Sequence, residues 1–380
     1  MTFGFNIIGF ATANLGLGVA LRNTAAVLMK NSLPFCVLDI DPGGNRTGHD
    51  FSLQSWTHKA HEPLPYGINL FFINPPTIES IFHDLPNLVP LQNHLNICIP
   101  FWELAHLPST WKSTLDKMDL VLAPSHFIEK ALQHAQLKAP IYYAKQGLGE
   151  RQSPNSDRGK WNFKSGRIVF LFSFDISSGI QKKNPLAILE LFKVLFPNGE
   201  ADLILKVNNR NLSSEAAQVV DKLKNVASHI PGAQIWDQVL SFAEVQSLYA
   251  SIDIFISLHR GEGLGLSMME CMALGKPVIA TGWSGNMDFM NEENSCLVPF
   301  QLVPLDTGTQ YHAASGGVEQ VWAEPNLIEA AKWMRKLYES PELRSRIGAR
   351  AQKDIQNLQA EVEKAEVFLE IRNHYQKSYF

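Results

Sequence analysis

Short apolar runs recur along the chain, each followed by a longer stretch with helical spacing. Phe5–Ala11 reads as a buried strand and Asn14–Gly18 as a glycine turn. Val19–Lys30 then carries Val19, Ala20, Thr24, Val27 and Leu28 at helical intervals. Further strands are predicted at Phe35–Ile40, Ile68–Asn74, Asn96–Phe101, Leu120–Ala123 and Ile141–Ala144, with helical segments between them. Strands that alternate with helices imply a parallel sheet covered on both faces.

The stretch Gln146–Lys164 breaks this rhythm. It holds Gly147, Gly149, Pro154, Asn155, Ser156 and Gly159 with few large apolar residues, a linker composition. A second series follows: strand Arg167–Phe174, helix Pro185–Phe196, strand Ala201–Val207, helix Ser213–His229, strand Gln234–Trp236, helix Phe242–Ala250 and strand Ile252–Leu258. The expected architecture is α/β, with two doubly wound Rossmann-like domains. Ligands in such sheets bind beyond the carboxyl ends of the strands, so two sheets facing each other there would enclose a cleft. The segment Ile355–Tyr379 reads as helix.

Size agrees with two domains, since 380 residues are long for one and comfortable for two. An apolar content of 45% permits large cores, and a formal charge of −4 offers no basic surplus for nucleic acid. The first residues, MTFGFNIIGFATANLGLGVALRN, lack a basic n-region, and glycines break their apolar run, so they do not read as a signal peptide. No stretch approaches the roughly 18 apolar residues of a membrane span. Cys36, Cys98, Cys271 and Cys296 form no C-x-x-C pair and read as buried thiols in a reducing compartment. A cytoplasmic location follows as an expectation, with contact at the inner face of a membrane left open.

Residues 257–290, SLHRGEGLGLSMMECMALGKPVIATGWSGNMDFM, carry the most chemistry. A buried strand run precedes Glu262, glycines at Gly263 and Gly265 follow it, and a helical pattern begins near Leu266 with Glu270 on it. Another strand, Pro277–Ala280, then leads to a turn at Gly282–Gly285. A glycine loop that opens a helix lets backbone N–H groups approach a phosphate, where the helix N-terminus adds partial positive charge. Carboxylates only accept hydrogen bonds and so suit hydroxyl-rich ligands. Phosphate and hydroxyls together describe a nucleotide-sugar.

This stretch resembles the E-x(7)-E signature of group 1 retaining glycosyltransferases of the GT-B fold, and is similar to enzymes that extend bacterial polysaccharides. The resemblance covers nearly the whole chain, most strongly from about 165 to 350. It implies an acceptor-side domain at 1–150, a nucleotide-sugar donor domain at 165–355, and a terminal helix at 356–380 that returns to the first domain. It also implies transfer of a hexose with retention, without metal or other cofactor, to a glycan, lipid-linked or other acceptor. Glu262 would hold donor sugar hydroxyls and Glu270 the ribose, while amides of Gly263, Leu264, Gly265 and Leu266 receive the diphosphate. Lys183 resembles the family's diphosphate lysine, with Lys182 its competitor and a solvated charge the plain alternative. Many relatives place an arginine at the preceding strand end. Here Phe174-Asp175 stands there, so the arginine is either missing or supplied from elsewhere, by Arg260 or Lys206.

Several signals have two readings. Glu103, in Pro100-Phe101-Trp102-Glu103 at a strand end, either orients the acceptor hydroxyl or accepts its proton, or else caps a following turn. Asn286 either bonds sugar or phosphate or belongs to the turn. Gly16 and Gly18 either line the acceptor or phosphate side or form a tight strand–helix turn. The Gly16-Leu17-Gly18 pattern lacks the third glycine of a dinucleotide fingerprint, because Leu21 stands there. Asp39-Ile40-Asp41 mimics a D-x-D metal motif but reads better as a strand end. His106, His126 and His259 read as half-buried histidines, His259 being the best placed for chemistry. An epimerase or phosphorylase of the same fold, or a non-catalytic nucleotide-sugar-binding subunit, are the alternative functions. Donor sugar, base, acceptor and oligomeric state leave no short motif.

Overall fold

The computed structural model describes residues 2–43, 50–59, 62–84, 88–149, 154–305 and 317–379. The chain divides into two compact units. The first takes the described parts of Met1–Arg151, Asp306–Gln320 and Leu358–Phe380, and the second those of Gln152–Leu305 and Val321–Asn357.

The sheet of the first unit contains β1 (Thr2–Gly9), β2 (Phe35–Asp39), β3 (Tyr66–Phe72), β4 (Leu95–Cys98), β5 (Leu120–Ala123) and β6 (Ile141–Tyr143). Its order is β2-β1-β3-β4-β5-β6, with every pairing parallel. The strands are apolar because both faces are covered. Three asparagines interrupt that pattern for a reason. Asn6 donates to Asn69 at 2.9 Å and Asn69 to Asn96 at 2.9 Å, a buried ladder across β1, β3 and β4 in which each amide satisfies the next.

The sheet of the second unit contains β7 (Val169–Asp175), β8 (Asp202–Asn208), β9 (Ala233–Trp236), β10 (Ile254–Ser257), β11 (Val278–Thr281) and β12 (Cys296–Val298). Its order, β12-β11-β10-β7-β8-β9, is that of the Rossmann fold, and all its pairings are parallel. The strand order reverses between β7 and β10. Loops leaving their carboxyl ends therefore diverge and open a binding crevice. A separate antiparallel pair, β13 (Phe300–Pro304) and β14 (Val321–Pro325), lies outside the sheet. Neither β12 nor this pair is predicted by the hydrophobic pattern, because each is short and the latter half exposed.

Two segments differ from their sequence reading. The stretch read as linker composition is tied to the second unit from Asp157 onward. The Asp157 amide donates to Ser251 Oγ at 2.9 Å, and Arg158 donates to Asp253 at 3.0 Å and to the Arg167 carbonyl at 2.7 Å. The terminal helix is not continuous. One helix ends at Val362 and another, Glu366–Tyr379, begins after Ala365, which takes a left-handed φ of 54°. The break lets Phe368 meet Phe5 edge-on, and it lets the fully buried Tyr375 fill the space left by Gly67, where an added Cβ would lie 1.7 Å from the phenol oxygen.

Candidate functional site

Beyond β7 the chain turns at Gly179, with φ of 79°, into the short helix Ile180–Lys183 and leaves it through Asn184 in the left-handed region. Asn184 Nδ2 donates to the Leu258 carbonyl at 3.0 Å, and the Arg260 amide donates to the Lys182 carbonyl at 2.8 Å. These bonds fasten the lysine turn to the loop after β10. Both lysines are buried, and Lys183 Nζ bonds the Glu262 carboxylate. The two side chains are only 10% and 14% exposed. The residues read as phosphate holder and sugar holder are thus brought together, 79 positions apart in sequence.

Burial raises the Glu262 carboxyl, but the charge of Lys183 beside it and the bond from that lysine outweigh it, so the group lies below its usual range. It is a carboxylate at neutral pH, an acceptor rather than an acid. Lys182 is held well below the ordinary lysine range, first by burial and then by the charge of Lys183.

The Glu262 peptide is gripped at both ends. Its N–H donates to Ser284 Oγ at 2.9 Å, and its carbonyl accepts from the Gly285 amide at 2.9 Å. A Cβ at Gly285 would lie 2.0 Å from the Gly263 carbonyl oxygen, so only glycine lets these loops approach so closely. Ser284 has φ of 81° and ψ of −151°, a region almost confined to glycine. Holding a serine there costs about 1–3 kcal/mol.

His259 lies beneath this contact, fully buried. Its Nε2 faces two acceptors, Asn286 Oδ1 at 3.2 Å and the Trp283 carbonyl at 3.3 Å, so the proton resides on Nε2. Nδ1 then accepts from Ser257 Oγ at 3.0 Å. Burial lowers the imidazole below its ordinary value and keeps it neutral.

Past Glu262 the loop enters the helix Leu266–Ala273 through Gly265, whose φ is 91°. Glu270 sits on that helix and is buried to 6% exposure. The buried Tyr249 lies near enough to feel its charge. Burial and the nearby Glu270 charge raise the Tyr249 phenol far above its ordinary value.

Three candidates find other work. Asn286 is fully buried, and its amide is used internally, by His259 at Oδ1 and by the Thr281 carbonyl, 3.1 Å from Nδ2. Arg260 directs its guanidinium to both Glu324 oxygens and to the Gln181 carbonyl, and it lies 5.2 Å from the Trp322 ring centroid. It braces β14 against the loop rather than offering its fork to a phosphate. Lys206 is buried on β8 and bonds Asn208 and the Val207 carbonyl; burial lowers it to about 8. Glu324 and Ser284 escaped the sequence reading. Glu324 is 64 residues from Arg260, with no local signal, whereas Ser284 was visible only as part of W-S-G-N.

Glu103, Gly16 and Gly18 belong to the first unit. Glu103 lies half-buried in the loop past β4, not at the strand end, beside Trp102, whose indole donates to the His106 carbonyl at 2.7 Å. Gly16 opens the helix Gly16–Lys30 with nothing within 4 Å of an added Cβ. Gly18 is close-packed, since a Cβ there would meet the Phe10 oxygen at 2.5 Å. Asp39 accepts from the Thr12 amide at 3.1 Å and its hydroxyl at 2.6 Å, which makes it a turn-holding strand end. Among the described residues no group of three or more His, Cys, Asp or Glu side chains could hold a metal ion, and no helix is long and apolar enough to cross a membrane.

Two six-stranded parallel sheets with these connections define the GT-B fold. Solved structures with the same fold cover almost the whole chain. Sucrose-phosphate synthase from Thermosynechococcus elongatus superposes with a TM-score of 0.71 at 13% identity, covering 99% of this chain and 100% of that one. A glycosyltransferase from Rickettsia africae ESF-5 superposes at 0.66 with 15% identity, covering 99% of each chain. The Anabaena HepE protein, in complex with UDP and glucose, superposes at 0.64 with 13% identity, covering 97% and 99%. The family model described as "Glycosyl transferases group 1" matches residues 210–304, which include β10, Glu262 and Glu270. No curated protein matches the chain.

Proposed function

We propose that the protein is a retaining glycosyltransferase that moves a hexose from a nucleotide-sugar bound at the β7–β10 crevice of the second unit. The observation that carries this reading is the Lys183–Glu262 pair beside the Gly263–Gly265 turn, with Glu270 on the helix that the turn opens. The match to the group 1 family model over residues 210–304, which hold Glu262 and Glu270 but not Lys183, supports it, as does the fold shared with a protein solved with UDP and glucose.

The roles follow from charge. Lys183 meets the negative charge that grows on the leaving diphosphate, and amides of Gly263–Leu266 at the helix N-terminus share it. Glu262, held ionised, accepts from sugar hydroxyls and fixes the anomeric carbon. Glu270 accepts from the ribose. No metal takes part in this reading. The acceptor is a carbohydrate or lipid-linked glycan.

The test is chromatographic and NMR detection of product from UDP-, GDP-, dTDP- and ADP-hexoses, with wild type and Lys183→Met. Product with α linkage retained from an α donor, and lost in the variant, supports the reading. Turnover unaffected by Lys183→Met would overturn it.

A further inference from the structure

Glu262 is placed by its backbone as much as by its side chain. Residues 284 and 285 hold its peptide at two points, Ser284 Oγ on the N–H and the Gly285 amide on the carbonyl. The second point is a backbone contact that the sequence cannot easily remove. The first depends entirely on a side chain, and that side chain stands where serine is strained. A glycine would relax φ of 81° and ψ of −151°, but it has no hydroxyl to offer. The hydroxyl is itself oriented, because it donates to the Trp283 carbonyl. That carbonyl also faces His259 Nε2 at 3.3 Å, so His259 and Ser284 converge on one oxygen. Asn286 is locked to His259 from the other side. The loop is therefore fixed from below, and Ser284 transmits that fixation to the Glu262 peptide.

We propose that Ser284 is a positioning residue for the transfer reaction, a strained serine whose hydroxyl fixes the Glu262 peptide and so aims its carboxylate at the donor sugar. The assignment rests on the glycosyl-transfer reading above. Ser284 touches neither sugar nor phosphate in this account; it acts through Glu262. The position carries opposite demands for stability and for activity. A residue present only for folding would be better as glycine.

The test compares wild type, Ser284→Gly and Ser284→Ala. Release of the nucleoside diphosphate from UDP-, GDP-, dTDP- and ADP-hexoses, with a glycan acceptor or water taking the hexosyl group, gives kcat and KM. Thermal unfolding gives stability, titration with bare UDP gives nucleotide affinity, and hydrogen exchange is read at the Glu262 amide. Ser284→Gly should keep or raise the melting temperature and keep UDP affinity. Its kcat should fall on the order of tenfold to 100-fold, as expected for a misplaced contact. Exchange at the Glu262 amide should rise in both variants. Ser284→Ala keeps the strain without the bond and should lose both stability and kcat. Wild-type kcat in a stable Ser284→Gly would overturn the proposal, as would unchanged protection at Glu262. If wild type releases a nucleoside diphosphate from no donor, the transfer reading falls on its own. Exchange then decides the clamp alone, a rise in Ser284→Gly sustaining it and no change refuting it.

Discussion

Glu262→Gln should tighten the binding of a bare nucleoside diphosphate while it weakens catalysis. The sign follows from the ion pair. Lys183 and Glu262 are 10% and 14% exposed, so the pair is largely withdrawn from water and only lightly screened. Breaking a fully buried pair by removing one partner costs about 3–5 kcal/mol, because the remaining charge is stranded. Some water reaches this pair, so we expect a loss of about 1–3 kcal/mol in unfolding free energy for Glu262→Gln. A diphosphate that binds Lys183 supplies the missing countercharge. In wild type the same diphosphate must displace Glu262 first. The variant should therefore bind UDP, or whichever diphosphate the protein accepts, about tenfold more tightly, a difference of about 1.4 kcal/mol. Turnover should drop on the order of 100-fold, since the sugar contact is lost. Isothermal titration, donor turnover and denaturant unfolding read the three quantities. Adding Lys183→Met to Glu262→Gln should restore stability relative to the single glutamine variant, a coupling of about 0.5–3 kcal/mol. Unchanged or weaker diphosphate binding in Glu262→Gln would refute competition for Lys183.

Three further outcomes are expected. Glu270→Ala should weaken the bare nucleotide about tenfold, because a ribose contact acts on ground and transition states alike; titration reads it, and unchanged affinity would remove Glu270 from that role. His259 has a folded pKa below its unfolded value, so its stabilising contribution is full above about pH 6.5 and is lost as pH falls through that value toward the folded pKa. Wild type should therefore lose more melting temperature between pH 8 and pH 5.5 than His259→Gln, and equal losses would contradict the buried neutral imidazole. Gly285→Ala, with its Cβ 2.0 Å from the Gly263 oxygen, should cost about 2–4 kcal/mol in chemical unfolding, whereas Gly16→Ala, with open space, should cost little.

The fold was legible because its strands are buried on both faces and read as continuous apolar runs, and because Gly263 and Gly265 punctuate a strand and a helix. The breaks in it were less so. Nothing in Val362–Glu366 announces that Ala365 adopts a left-handed φ, since alanine is a good helix former and tertiary packing of Phe368 and Tyr375 decides the bend. At the site, the residue types and their order were readable, but their partners were not. In sequence, Glu262 and Lys183 read as holders of different parts of a donor, and only the folded structure shows that they bond each other. Asn286 has the right chemistry for a sugar, yet its amide is turned inward to His259 and Thr281. Arg260 has the right charge for a phosphate, yet Glu324 takes it. Polar residues near a loop advertise capacity for hydrogen bonding, and sequence alone does not say which capacity is already used. Ser284 is the extreme case, since its backbone angles have no local signature at all.

We propose that the second unit binds a nucleotide-sugar donor through Lys183 and Glu270. The most direct measurement is thermal unfolding of wild type, Lys183→Met and Glu270→Ala with UDP, GDP, dTDP, ADP and CMP. At least one nucleotide should stabilise the wild type, by about 2.7 kcal/mol at 100 times its dissociation constant, and both variants should lose most of that shift. No shift with any nucleotide, or a shift that survives both substitutions, would contradict the account.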